Sequence, residues 1–310
     1  MPELVKIRPE LFPKLYAAIL RDDDPYTDQE TWRKVIHYTW ECEEDHTGYA
    51  LLEGDRVIGM MAMVFRDRFF LGRPHKLCNL HTWWVHEDHR GRSVAMLRPL
   101  LGMREYTITH FTPCDRIRGL TQRLGFVPLD QQLKVLLPLR NSKQRHSNFD
   151  TATFDEDIDA QHLPVADQTI LRDHQPYRSG NLVITNGRDH LYVLYTHVVR
   201  FRVNYCHVHY VSDSALYQQV EPTVRKELMR RHRVRFVILD ARMFRDVTFR
   251  RSFDFWSPVN AVYKPCGDLP PAQVDNLYSD ATMLRLSLLP HISFELKQRA
   301  LKYLPFQKQP

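Results

Sequence analysis

The chain has 310 residues, 43% of them hydrophobic and 26% charged, with a formal net charge of +6. That length favours two domains, the composition is that of a folded protein with a real core, and the mild positive charge suits an anionic ligand while falling short of a nucleic-acid-binding signature. The longest apolar run, VIGMMAMVF (57–65), is far below the ~20 residues that cross a bilayer, MPELVKIRPE has no signal-peptide core, and five scattered cysteines make no disulfide framework, so the expected compartment is the cytoplasm.

In chain order, LVKIRPE reads as a short strand. ELFPKLYAAIL and DQETWRKVIHYTW carry helical spacing, the second with Asp28 as N-cap. TGYALLEGDRVIGMMAMVFRDRFFLG follows, where EGD between two apolar runs signals a hairpin. HKLCNLHTWWV is a further strand, and a helix is expected from about Ser93. YTITHF is a strand, DRIRGLTQRL a helix, and LKVLLPL a strand that closes the sheet. The order β-α-α-β-β-β-α-β-α-β implies a mixed α/β (α+β) class, with a mixed central sheet flanked by helices.

Residues 1–140 are therefore read as a first domain. The polar, aperiodic stretch RNSKQRHSNFDTATFDEDID fixes a linker over 141–160, and 161–310 form a second domain. In that half the pattern partly recurs. NLVITNGRDHLYVLYTHVVRF is a hairpin turning at Asn186-Gly187, NYCHVHYVS a strand, ALYQQVEPTVRKELMRR a helix and RVRFVILDARMF a strand. The tail MLRLSLLPHISFELKQRALKYL reads as a strand and a helix.

The stretch with the most chemical content is WWVHEDHRGRSVAML (83–97), where an apolar strand runs through a charged turn into a helical pattern. Ser93 as N-cap would leave backbone N–H groups and the positive helix end facing the loop, which suits an anion. Gly91 would permit a tight turn, and Arg90 and Arg92 add positive charge. On these residues alone a charged surface turn explains the stretch equally well.

Arg90-x-x-Ser93-x-Ala95 after an apolar strand resembles the acyl-CoA-binding signature R/Q-x-x-G-x-G/A of the GNAT N-acetyltransferase superfamily, with Ser93 in place of its central glycine. Some thirty residues on, GLTQRLGFVPLD resembles the family's second motif, a helix followed by Gly125-Phe126. The resemblance covers about residues 4–138. It implies a GNAT-like sheet and direct attack of an amine on the thioester of acetyl-CoA or another acyl-CoA. The implied cofactor contacts are Trp84 and Val85 at the strand's end, then Arg90, Gly91, Arg92, Ser93, Val94 and Ala95. Pro99 falls inside the expected helix and should kink it or free a carbonyl.

The amine must lose a proton, and the resemblance places the base at His81, four positions before Val85; an imidazole of unperturbed pKa ~6.5 suits that task. A satisfied strand histidine is the competing reading. The Val85 N–H is the implied oxyanion donor. Thr121 stands where the family often carries a tyrosine acid, although its hydroxyl is a poor one. Cys114 is read as a packed thiol. His86, Glu87, Asp88 and His89 share one turn without a helix to align them, so no metal site is expected there or at His207 and His209. RRHRVR (230–235) reads as a solvated helix end.

In the second half CHVHYVSDSALYQQVEPTVRKEL occupies the corresponding strand-loop-helix place without the arginine-glycine signature, which suggests a second, degenerate GNAT-like domain. A chain ending near residue 145 would on that view keep acyl-CoA binding. The functional expectation is an acyl-CoA-dependent N-acyltransferase of two tandem GNAT-like domains acting on a small-molecule amine. The alternatives are a protein amine as acceptor and a non-catalytic acyl-CoA sensor. Acyl length, acceptor and oligomeric state, a homodimer included, are left open by the sequence.

Overall fold

The computed structural model describes residues 2–24, 26–130, 132–139, 149, 151–200, 203–257 and 261–289, with the backbone alone for Phe70, Ser93 and Arg200. After β1 (Glu3–Lys6) comes a helical stretch made of α1 (Phe12–Leu15), a π turn over Tyr16–Leu20 and α2 (Arg21–Asp23). α3 (Gln29–Ile36) starts where expected, because the Asp28 carboxylate accepts the Thr31 N–H at 2.7 Å. β2 (Gly48–Glu53) and β3 (Arg56–Phe70) form the anticipated hairpin, with Gly54 at φ +58°. A second tight turn at Leu71-Gly72 leads into β4 (Arg73–Val85).

A 3-10 run (Glu87–Met96) then gives way to α4 (Leu97–Gly102), β5 (Tyr106–His110), α5 (Asp115–Arg123), β6 (Val127–Pro128) and β7 (Gln132–Leu136). The second half contributes β8 (Thr151–Phe154), α6 (Val165–His174), β9 (Ser179–Thr185), β10 (His190–Arg200), β11 (Val203–Val211) and α7 (Ser214–His232). β12 (Val237–Asp240), β13 (Ser252–Trp256), β14 (Val262–Lys264) and α8 (Asp280–Met283) complete it. Among the described residues no helix is long and apolar enough to cross a membrane.

Among the described residues the strands make two mixed seven-stranded sheets, ordered β1-β2-β3-β4-β5-β14-β6 and β8-β9-β10-β11-β12-β7-β13. The two orders correspond place for place, and the parallel pair falls at the same place in each, β4 with β5 and β11 with β12. The sixth strand of each sheet comes from the other half of the chain. LKVLLPL therefore does not close the first sheet, as its sequence position suggested. Lys134 to Leu136 are buried, which suits an interior place between β12 and β13 rather than an open edge.

Two further expectations are corrected. Thr151 to Phe154 pair with β9 and are not linker, while residues 140–148 and 150 lie outside the described residues. The strand expected from Met283 does not form, since α8 ends at Met283 and 284–289 follow as a turn and irregular chain, and the helix expected beyond it falls on 290–310, also outside.

The alternation of β3 explains its run of methionines. Met60, Ala62 and Val64 face the core that α1, α3 and the second half share, whereas Met61, Met63 and Phe65 face the core over β4 and β5. That shared core takes in Tyr177, Tyr192, Leu194 and Leu277, so the two halves bury one another's apolar surface. At about 25 cal/mol per Å² of apolar area, such a core fixes the relation of the halves more firmly than any surface ion pair.

Candidate active site

The first sheet opens at its centre. β4 and β5 pair only from Lys76 with Tyr106 to Asn79 with Thr109, yet β4 runs on to Val85. The cause is a β-bulge. Thr82 and Trp83 together oppose Met61, with Thr82 in the left-handed region at φ +43°. The other edge of β5 is taken by β14. Past the bulge the His86 N–H donates to Ile58 O at 2.8 Å, so by the alternation of an antiparallel ladder the Val85 N–H points away from β3, toward the opening.

Two cavities meet in that opening, sharing Trp83, Cys114 and Ile117. The outer one, of about 540 Å³, runs between Trp83–Val85 and α5. Its charged lining is Arg90, Arg116 and Arg123 against Asp115. Arg116 and Arg123 sit at i and i+7 on one face of α5, as Gly119 and Leu120 do between them. The inner cavity, of about 400 Å³, is bounded by Asp23, Asp24, Trp32, His110, Asp280 and Leu284 among others, with three carboxylates and no lysine or arginine.

Asp280 is the feature that sequence reading missed. It is 3% exposed, its Oδ2 accepts the Thr112 hydroxyl at 3.2 Å, and its N–H donates to Asn79 Oδ1 at 3.1 Å. Oδ1 has no partner among the described residues. Burial, with a smaller push from the Asp23 charge, raises its pKa to about 7. Asp23 stands at the mouth. Although much of it is open to solvent, the cavity walls strip enough water from its carboxylate to push its pKa up, against the Thr82 hydroxyl at 3.4 Å.

The expected catalytic residues fare differently from one another. Val85 lines the outer cavity with its N–H turned to the opening. His81 is 1% exposed, stacked on Trp32, and its imidazole is pushed down to about 3 by burial and by His110. Thr121 is buried with its hydroxyl donated to Ile117 O and Arg118 O, at 3.0 and 2.9 Å, inside its own helix. Gly125 takes φ +86° beyond α5, where the Phe126 N–H bonds Thr121 O and the Gly125 N–H bonds Gln122 O, so the Gly-Phe motif is a helix terminator whose phenyl ring is buried.

The charged corner also departs from expectation. Residues 87–96 form the 3-10 run, α4 begins at Leu97, and Ser93 is no N-cap of an α-helix. Pro99 accordingly falls in the first turn of α4, where its missing N–H costs nothing and no kink results. Gly91 has no positive φ, and a Cβ there would meet no atom of the chain. Trp84, Val85 and Arg90 line the outer cavity, whereas Gly91, Arg92, Val94 and Ala95 are exposed beside it. Arg116 and Arg123 of α5 line the outer cavity together with Arg90 of the corner.

Residues 12–96 match the sequence profile of the Acetyltransferase (GNAT) family. Over that stretch the chain is similar to a GNAT domain. Solved structures agree on the fold. A GCN5-related N-acetyltransferase from Anabaena variabilis is similar at TM-score 0.55 and 10% identity, over 85% of this chain and 72% of that one. A conserved protein of unknown function from Enterococcus faecalis gives 0.56 and 10%, over 85% and 72%. A GCN5-related N-acetyltransferase from Kribbella flavida gives 0.52 and 12%, over 85% and 70%. No curated protein sequence matches the chain.

The corresponding corner of the second sheet is closed by the chain itself. β11 carries a matching bulge opposite Leu194/Tyr195, but α7 follows at once and the Asp213 carboxylate accepts the Ala215 and Leu216 N–H groups at 2.8 and 2.9 Å. An acidic cap already bonded to those donors leaves no anion site there. Elsewhere, Glu44, Asp45 and His46 lie close together, yet Asp45 is paired with Lys6 and Arg8 at 2.6 and 2.5 Å and His46 Nδ1 accepts the Gly48 N–H. His209 uses both ring nitrogens, on Thr196 and Asn276.

Proposed function

We propose that the chain is an acyl-CoA-dependent N-acyltransferase, with acetyl-CoA as the first donor to test and a small-molecule amine as acceptor. One observation carries this reading: the opening between β4 and β5 joins a basic groove to an acidic cavity through a shared wall. Arg90, Arg116 and Arg123 would hold the phosphates of the donor. The thioester would then lie beside the Val85 N–H, which stabilises the oxyanion as the tetrahedral intermediate forms.

Asp280 is the base in this reading, rather than His81. A base works best with a pKa near the working pH, and Asp280 at about 7 meets that condition while His81 at about 3 does not. The ammonium gives one proton to Asp280, the nitrogen attacks the carbonyl carbon, and the C–S bond breaks. CoA leaves as thiolate and takes a proton from the resulting amide nitrogen or from solvent, since Thr121 is engaged within its own helix. The balance is one amide, one CoA thiol and one proton released. The second sheet, with Asp213 across its own corner, belongs in this reading to a degenerate GNAT-like half that completes the first site with α8.

The test is a thermal-shift panel of acetyl-CoA and longer acyl-CoAs on the wild type and Arg90→Glu. Stabilisation of the wild type alone supports the groove, and no shift with any acyl-CoA sinks it. The engaged Thr121 hydroxyl favours a second reading, an acyl-CoA binder without turnover. Such a binder gives the thermal shift but no amine-dependent release of CoA.

A further inference from the structure

We infer that the inner cavity takes an amine that carries a second positive charge, with the reacting nitrogen deep at Asp280 and the other cationic group at the mouth on Asp23. The inference rests on the transferase reading for the role of Asp280 and adds the class of acceptor. Its basis is the difference in depth and in partnering of the three carboxylates. Asp280 lies at the closed end with Oδ1 unpartnered among the described residues. Asp24 already accepts the Thr27 hydroxyl at 2.5 Å and the Tyr26 N–H at 3.1 Å. Asp23, the last residue of α2, has the Thr82 hydroxyl at 3.4 Å, a long bond, and no cationic partner among the described residues.

Between the two ends the walls are apolar and aromatic, from Trp32, Trp83, Ile117 and Leu284. Two carboxylates in one cavity repel, and a single ammonium neutralises only one of them. A neutral tail would leave Asp23 facing hydrocarbon at the mouth, whereas a second ammonium on a short methylene spacer pairs with it and lays the spacer along the tryptophans. The basic outer groove and the acidic inner one thereby sort the two substrates by charge: the anionic donor is repelled from the inner cavity and the dication from the outer one.

The experiment compares 1,4-diaminobutane with n-butylamine on the full-length chain, wild type and Asp23→Asn. With acetyl-CoA present, the wild type is expected to prefer the diamine by about two- to fivefold in kcat/KM, the range for a partly exposed ion pair, and Asp23→Asn to bring that ratio close to one through KM. Without acetyl-CoA, the diamine is expected to raise Tm of the wild type more than n-butylamine does, and to lose that advantage in Asp23→Asn. Equal use and equal binding of both amines by the wild type, or a preference that survives Asp23→Asn, overturns the inference. A diamine-specific Tm shift with no CoA release from any acyl-CoA overturns the transferase reading and leaves the dication site standing.

Discussion

Replacing Asp280 with asparagine separates catalysis from stability in opposite directions. Asparagine keeps the shape, can still accept the Thr112 hydroxyl, and leaves the backbone bond to Asn79 Oδ1 intact. Removal of a general base lowers turnover by about 100- to 10,000-fold. Stability should move the other way. The folded-state pKa of about 7 lies above the ordinary carboxylate value of 3.8, so Asp280 contributes stability that is fully present below the unfolded pKa and is lost as pH rises through about 7. The two values differ by about three units, at ~1.4 kcal/mol each, so the ionised group weighs against the fold by on the order of 4 kcal/mol above pH 8. Asp280→Asn is therefore expected to be the more stable protein at pH 8, by a few kcal/mol at most, and to have no such advantage near pH 3.

The assays are urea unfolding at both pH values and kcat/KM across pH. Below pH 7 the wild-type profile should fall with one proton more than the amine's own titration explains, and the variant should lack that extra dependence. Asp23, Asp24, His110 and His81 surround the group; both imidazoles are held neutral in this range by burial, to about 4 and about 3, so they do not mimic the effect. A variant that is less stable at pH 8, or that keeps turnover within threefold, refutes the reasoning.

Arg123→Glu reverses a charge on the groove face of α5 and should weaken acetyl-CoA binding by about tenfold or more, read by calorimetry; equal affinity would move the phosphates elsewhere. Asp213→Ala removes a cap and should cost about 1 kcal/mol in urea melts while leaving the acetyl-CoA thermal shift intact, and loss of that shift would place the donor on the second sheet. His207 is fully buried with neither ring nitrogen partnered among the described residues. Burial lowers its pKa, so it contributes stability present above ~6.5 and lost as pH falls. His207→Leu should be more stable at neutral pH by about 1–3 kcal/mol and its margin should widen at pH 5, whereas a less stable variant contradicts this. A chain cut after residue 139 lacks β14 beside β5 and leaves β7 without β12 and β13, so circular dichroism should find it unfolded; a folded fragment that binds acetyl-CoA restores the expectation drawn from sequence.

The first sheet was legible because its signals are local. Asp28 caps α3, Gly54 turns the hairpin, and Gly125 ends α5, each through one residue and its neighbours. Strand exchange was not legible, since nothing local in LKVLLPL says which sheet it joins. The arginines of the outer groove could have been found: Arg116 and Arg123 lie seven apart with small and apolar residues between them on one helix face. Asp280 could not. It meets Asn79 and Thr112 across separations of 201 and 168 residues, and YSDATML carries no chemical signature. The weak basicity of His81 has a physical cause as well: its ring lies against Trp32, in a dry interior that pushes its pKa down.

The most direct test of the whole account follows free thiol from acetyl-CoA while amines are added, with mass detection of the acylated amine. The account predicts thiol release that depends on the amine, one acetyl group on the amine per thiol, and at least a hundredfold loss of both in Asp280→Asn. Acetyl-CoA binding without thiol release from any amine, or release that Asp280→Asn leaves intact, would contradict it.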